Sequence, residues 1–339
     1  MKLIPYLKIS FLALVVIVGP STTVYAQNEI DALFNDGNLS LRVSPEIPDP
    51  NTNVTLSIES FSTNLGKADI KWEVNGLLVK RGVGLVTFQV KTGAVGSVTQ
   101  VKISAQTKDG SVLTENITLR PGLVDIIWQA DSWTPPFYKG RGMPLAKTKL
   151  TAQAIPYMFD GKTRIPSKNL DYQWFYDFEP LQSQSGIGKD TVSVESPDLF
   201  GQKNLMVKVA SLDGGIIANE QISLTPSEPL ALVWRDDPLS GLDYDHPTGS
   251  NISLTGDEIS FETGGIYFPK THMAKPGLIY RWTQNAKPAL VDAKKPNTII
   301  IRNPEGGGEG QINIDIQDPF DTIISASKSF FIKTASKNF

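Results

Sequence analysis

The sequence predicts an all-β protein of three tandem β-sandwich domains behind an export signal. Three observations predict it. A tryptophan recurs at domain-sized intervals, nearly every segment alternates apolar and polar residues at period two, and the amino terminus is basic and then apolar.

Taken in chain order, Lys2 and Lys8 form a basic start and Ile9 to Gly19 an apolar stretch of about eleven residues, with Val24-Tyr25-Ala26 as the cleavage pattern. A bilayer span needs about twenty apolar residues, so this stretch reads as a removable signal. An uncleaved anchor is the alternative, and it would be the one tie to a membrane. No cysteine follows the stretch, which excludes a lipid-anchored form, and nothing later is apolar enough to span. The expected organisation is a signal peptide at 1–26, a linker at 27–37 and sandwich domains at 38–121, 122–227 and 228–339.

The repeat is built around Trp72, Trp174 and Trp282, which are 102 and 108 residues apart, each inside a short alternating run (ADIKWEV, LDYQWFY, LIYRWTQ). Upstream of each lies an alternating strand: Asn53–Ile58, Thr148–Ala154 and Asn251–Leu254. Downstream, the first two copies turn at Gly82-Val-Gly84 and Gly186-Ile-Gly188, and the third runs from Thr298 to Arg302. Each copy closes with a hairpin, across Asp109-Gly110, Asp213-Gly214 and Asp318 to Asp321; Asp-Gly between alternating runs is a strong hairpin signal because both residues tolerate positive φ. Trp128 and Trp234, each after a proline-bearing junction, mark the first strands of the second and third domains. Short proline-bearing linkers predict a semi-rigid array.

This order of strands, turns and core tryptophans resembles the tandem immunoglobulin-like and PKD-like modules of bacterial exported proteins, over roughly residues 38 to 334. The paired cysteines of antibody-type domains and the WDFGDG string of PKD domains are absent; Trp72-Glu-Val-Asn-Gly76 is the nearest echo of the latter. The resemblance implies architecture and location and carries no catalytic residues.

Composition narrows the function classes. The chain has no cysteine, which removes thiol catalysis, zinc-thiolate sites and disulfides. Formal charge is −3 and becomes −5 once residues 1–26 leave with their two lysines, so the basic face that nucleic-acid binding needs is missing. Both histidines, His246 and His272, sit in proline-containing loops, and no nucleophile elbow, zinc helix motif or P-loop is present. A hydrolase would rest on Asp177 and Glu179 alone. The chain is therefore expected not to be an enzyme and to need no cofactor.

Two loops stand out as candidate sites. Trp133-Thr-Pro-Pro-Phe137-Tyr138-Lys-Gly-Arg141 gathers three aromatics and two cations without strand alternation. Trp133, Phe137, Tyr138 and Arg141 suit a glycan- or protein-binding patch, or a loop folded over the end of its sandwich. Asp236, Asp237, Asp243 and Asp245 crowd the start of the third domain; calcium favours such carboxylate-rich loops, and turn formation uses the same residues. Asp315, Asp318 and Asp321 gather near the last hairpin.

The expectation is a non-enzymatic protein exported to the periplasm, the cell surface or the medium, serving as spacer, adhesin or surface-assembly subunit. Its partner would be an envelope protein, another copy or a glycan. The alternative is a carbohydrate-binding accessory module that uses the aromatic loop.

Overall fold

A computed structural model describes residues 39–136, 138–273, 277–304 and 307–334. The signal and linker expected at 1–37 lie outside these residues, as does Phe137.

The first set of strands is β1 (Ser40–Ser44), β2 (Asn53–Glu59), β3 (Asp69–Val74), β4 (Leu77–Val83), β5 (Thr87–Lys91), β6 (Thr99–Gln106) and β7 (Val112–Leu119). They form one sheet in the order β1-β2-β5 and another in the order β4-β3-β6-β7. Alternation decides which side chains go inward: Val54, Leu56 and Ile58 of β2 face Ile70 and Trp72 of β3 and Val101, Ile103 and Ala105 of β6 in one buried cluster. These strands fall in the first of two compact units.

The second unit begins with β8 (Leu123–Ala130), β9 (Lys149–Tyr157), β10 (Phe159–Asp160), β11 (Thr163–Arg164), β12 (Leu170–Tyr176), β13 (Glu179–Pro180), β14 (Gly186–Ile187), β15 (Thr191–Glu195), β16 (Lys203–Ser211) and β17 (Ile217–Leu224). Their sheets run β15-β9-β8 and β13-β12-β16-β17, around a core that includes Trp174, Tyr172 and Leu150.

The same unit continues with β18 (Leu230–Asp237), β19 (Gly241–Leu242), β20 (Asn251–Leu254), β21 (Glu258–Ile266), β22 (Ile279–Gln284), β23 (Lys287–Pro288), β24 (Thr298–Arg302), β25 (Gly308–Gln317) and β26 (Ser325–Thr334). Here the sheets run β19-β18-β21-β24 and β20-β26-β25-β22-β23, with Trp282, Phe261 and Phe330 in the core. In the first two sets the main sheets run in the order of an immunoglobulin-like sandwich, ABE facing C′CFG, and the third keeps that order with β19 and β20 added at the sheet edges.

Local chemistry explains the repeat. Trp72, Trp174 and Trp282 are 0, 0 and 3% exposed, and each indole N–H donates to a backbone carbonyl, of Leu85, Lys189 and Pro296, at 3.0, 3.0 and 3.1 Å. A buried indole needs that partner, so the loop following each tryptophan strand is tied to it. Three residues after each tryptophan the chain reverses through two positive-φ residues: Asn75-Gly76, Asp177-Phe178 and Asn285-Ala286. Two-residue hairpins with that geometry match the right-handed twist of the strands they join.

The strand expected at Asn251–Leu254 forms with those bounds, but its pairing differs from that of its counterparts upstream of Trp72 and Trp174: it runs parallel to β26 in the opposite sheet. The second position belongs to β21, where Gly264-Gly265 and several polar residues mask the pattern.

Candidate functional site

The loop between β8 and β9 contains Pro135, Pro136, Gly140, Gly142 and Pro144, a composition that stops β8 and keeps the segment out of both sheets. Its first residues find a partner within the second unit, in the segment after β21. Trp133 N–H donates to Phe268 C=O at 2.7 Å, Tyr267 N–H donates to Trp133 C=O at 2.8 Å, and Lys270 N–H donates to Asp131 C=O at 3.2 Å. Ser132 and Pro269 form an antiparallel bridge. These bonds make a short ladder between the second and third sandwiches, and the Asp131–Lys270 ion pair at 3.5 Å lies along it.

The Trp133 side chain occupies a slot whose floor is glycine. A Cβ on Gly264 would lie 2.8 Å from the Trp133 ring and 3.2 Å from that of Trp234, so only glycine leaves room. The two indoles meet edge to face at 6.5 Å, and Trp234 is 1% exposed. Tyr138 reaches the same partner segment: its hydroxyl lies 2.7 Å from that of Tyr267, with the rings 6.4 Å apart. Burial, then the Tyr138 hydroxyl, push the Tyr267 phenol up to about 12. Tyr267 has φ 68°, a conformation bulky residues avoid; the ladder and the Tyr138 contact hold it there.

Further along the loop, Leu145 is 1% exposed and belongs to the third sandwich's core cluster, while Pro144 C=O accepts from Ser227 N–H at 2.7 Å. Arg141 turns the other way and stacks its guanidinium over Trp128 at 3.8 Å. Trp128 and Trp234 hold matching sequence positions; the first is covered by Arg141 of its own loop, the second by Tyr244 of its own loop at 5.2 Å and by Trp133 from the preceding sandwich.

The acidic residues are spread out. Asp237 accepts from Leu239 N–H and Ser240 N–H at 2.9 and 3.1 Å, bonds that hold its carboxyl below the usual range. Asp243 is hydrogen-bonded to His246 Nδ1 at 2.9 Å, Asp236 lies half-buried on β18, and Asp245 is exposed. Asp236 is a secondary influence on Glu262, whose carboxyl is pushed up first by burial. Asp237, Asp243 and His246 line part of a 440 Å³ cavity that also reaches Ile252, Ile259 and Phe261. Among the described residues, no three histidine or carboxylate side chains gather as a metal site.

Near the last hairpin, Asp318 is fully buried; it accepts from Phe320 N–H at 2.8 Å and meets His272 Nδ1 at 2.6 Å. His272, in its proline-containing loop, is half-buried against a partner 46 residues away, which no local pattern reveals.

The fold and this joint define a protein of tandem immunoglobulin-like β-sandwich modules. No family model matches the chain, and no curated protein does. Among solved structures it is similar to the fibronectin(III)-like modules of Clostridium thermocellum CbhA, at 13% identity and a TM-score of 0.28 over 55% of this chain and 94% of that one. It is also similar to the three N-terminal domains of the bacteriophage RB49 Highly Immunogenic Outer Capsid protein, at 10% identity and 0.25 over 89% and 99%. A bacterial ice-binding adhesin gives 11% identity and 0.21 over 88% and 98%. Superpositions this loose carry no argument, and the assignment rests on strand order and core. No helix among the described residues is long and apolar enough to cross a membrane.

Proposed function

We propose that this chain is a non-enzymatic exported or cell-envelope protein, a semi-rigid array of sandwiches serving as a spacer, adhesin or surface-assembly subunit. The observation that supports this reading is the joint between the second and third sandwiches. The aromatic loop, the most distinctive surface in the sequence, is spent on fixing one module to the next through Trp133, Tyr138 and Leu145. A joint of backbone bonds and aromatic contacts transmits position, which is what a spacer or a display arm requires. The basic-then-apolar start and the absence of cysteine suit an exported protein whose modules rely on their own cores.

The test is crosslinking in the native host, followed by fractionation and identification of the attached molecules. The expected result is a mature chain beginning near Gln27, outside the cytoplasm, in adducts with itself or an envelope protein. A cytoplasmic chain, free monomer alone, or adducts to polysaccharide alone would overturn it.

A further inference from the structure

The sheets that carry the core tryptophans end differently in the three sandwiches. In the second and third, the strand beside the tryptophan strand is two residues long, Glu179–Pro180 in β13 and Lys287–Pro288 in β23. Each contains a proline, which has no N–H to offer a further strand, and each is too short to template one. In the first, β4 runs for seven residues, Leu77–Val83, without a proline. It pairs with β3 on one side and, among the described residues, with nothing on the other. Leu77, Leu78, Val79 and Val83 are 73, 55, 55 and 71% exposed along it. Soluble proteins suppress long apolar edges, and at this position the second and third sandwiches do so with a short proline-bearing strand, whereas β4 carries only a register shift opposite Trp72 and Glu73.

The ladder shows which backbone groups face outward. Gly84 N–H donates to Ala68 C=O, so the alternation of an antiparallel pair turns Gly82 and Lys80 toward β3, opposite Ile70 and Trp72. Arg81 and Val83 therefore turn their backbone groups away from the sheet. Arg81 is held by Asp69 through its side chain, which leaves Lys80, at the centre of the strand, as the cation presented along the edge.

We propose that β4 is a docking edge for an extended segment of another protein, one that alternates apolar side chains with carboxylates. Main-chain bonds would supply affinity, and alternate side chains the selection. Charge argues against a second copy as the occupant: full antiparallel pairing of two β4 strands sets Lys80 against its own counterpart, and like charges facing across a ladder destabilise it. Carboxylates in that place are favourable. The inference is independent of the joint, which lies in the other unit.

The probes are two capped nine-residue synthetic peptides, one alternating valine with glutamate, the other valine with lysine. Each is titrated into the full chain while amide hydrogen exchange is followed. The glutamate peptide is expected to slow exchange across residues 77–83 at least tenfold, and the lysine peptide to leave it unchanged. Lys80→Glu should reverse that preference. Val83→Pro, which removes one outward N–H at an exposed position, should weaken the glutamate peptide at least tenfold with the far-UV spectrum preserved. No protection of 77–83, equal protection by both peptides, or self-association of the chain that Leu78→Lys abolishes would each overturn the proposal.

Discussion

The loop at 131–148 and the loop at 236–246 look equally suited to binding in the sequence, one by its aromatics and the other by its carboxylates. The structure uses them in opposite ways. The aromatic loop faces another part of the same chain, and Trp133 is consumed in an interdomain slot. The acidic loop turns Tyr244 back onto Trp234 of its own sandwich, while Asp237 holds a local turn and Asp237 and Asp243 line an open cavity. Residue type alone therefore did not decide exposure. What decided it was whether a complementary surface lay within reach, and for Trp133 that surface is Gly264 beside the Trp234 ring.

The largest expected effect comes from emptying the slot. Trp133→Ala removes most of the ring contact, and a half-buried tryptophan lost from such a place costs about 2–3 kcal/mol. Chemical denaturation should show this as a lower midpoint for the second and third sandwiches. Gly264→Ala attacks the same contact from the other side. The new methyl would overlap the Trp133 ring, with an expected cost of about 1–3 kcal/mol and release of the indole to quenchers in solution. If Gly264→Ala leaves tryptophan fluorescence and stability unchanged, the slot is not what distinguishes the two loops.

A smaller effect follows from pH. The Tyr267 phenol is raised from its ordinary value of 10.0 to about 12, so the folded joint favours the neutral hydroxyl. Its contribution is fully present below pH 10 and is lost as pH rises from there to about 12. Tyr138→Phe should reduce this alkaline loss without abolishing it, because burial is the larger cause. Urea midpoints at two alkaline pH values compare the variants.

The smallest effects belong to the acidic loop and its neighbours. Asp243→Asn and Asp245→Asn are expected to stay within about 0.5 kcal/mol of the parent, since both are exposed. Adding calcium should not shift the thermal midpoint, and a calcium-dependent rise lost in Asp243→Asn would contradict the reading of this loop as turn chemistry. Glu262→Gln should raise stability slightly at neutral pH. Burial lifts that carboxyl's folded value above its unfolded one, so ionising it opposes folding as pH rises.

Much of the fold was legible because it is local. Alternation, core tryptophans and Asp-Gly turns are short-range signals, and they located β3, β12, β22 and the closing hairpins within a few residues. What stayed hidden has the opposite character. Asn251–Leu254 alternates as well as a central strand does, and only the competing pairing of β21 shows that it belongs beside β26. His272 meets Asp318, and Trp133 meets Gly264, across separations that one sequence does not encode visibly. A signal for the slot did exist: two adjacent glycines inside a strand mark a close approach by another group. What approached them could not be read.

The most direct test of the account is the distance between the second and third sandwiches. Because the chain has no cysteine, Asn219→Cys and Ser327→Cys place one spin label on an exposed position of each. Pulsed dipolar spectroscopy should give one narrow distance distribution in the parent and a markedly broader one in Trp133→Ala. A parent distribution as broad as the variant's would show that Trp133 does not fix the joint, and would contradict the spacer built on it.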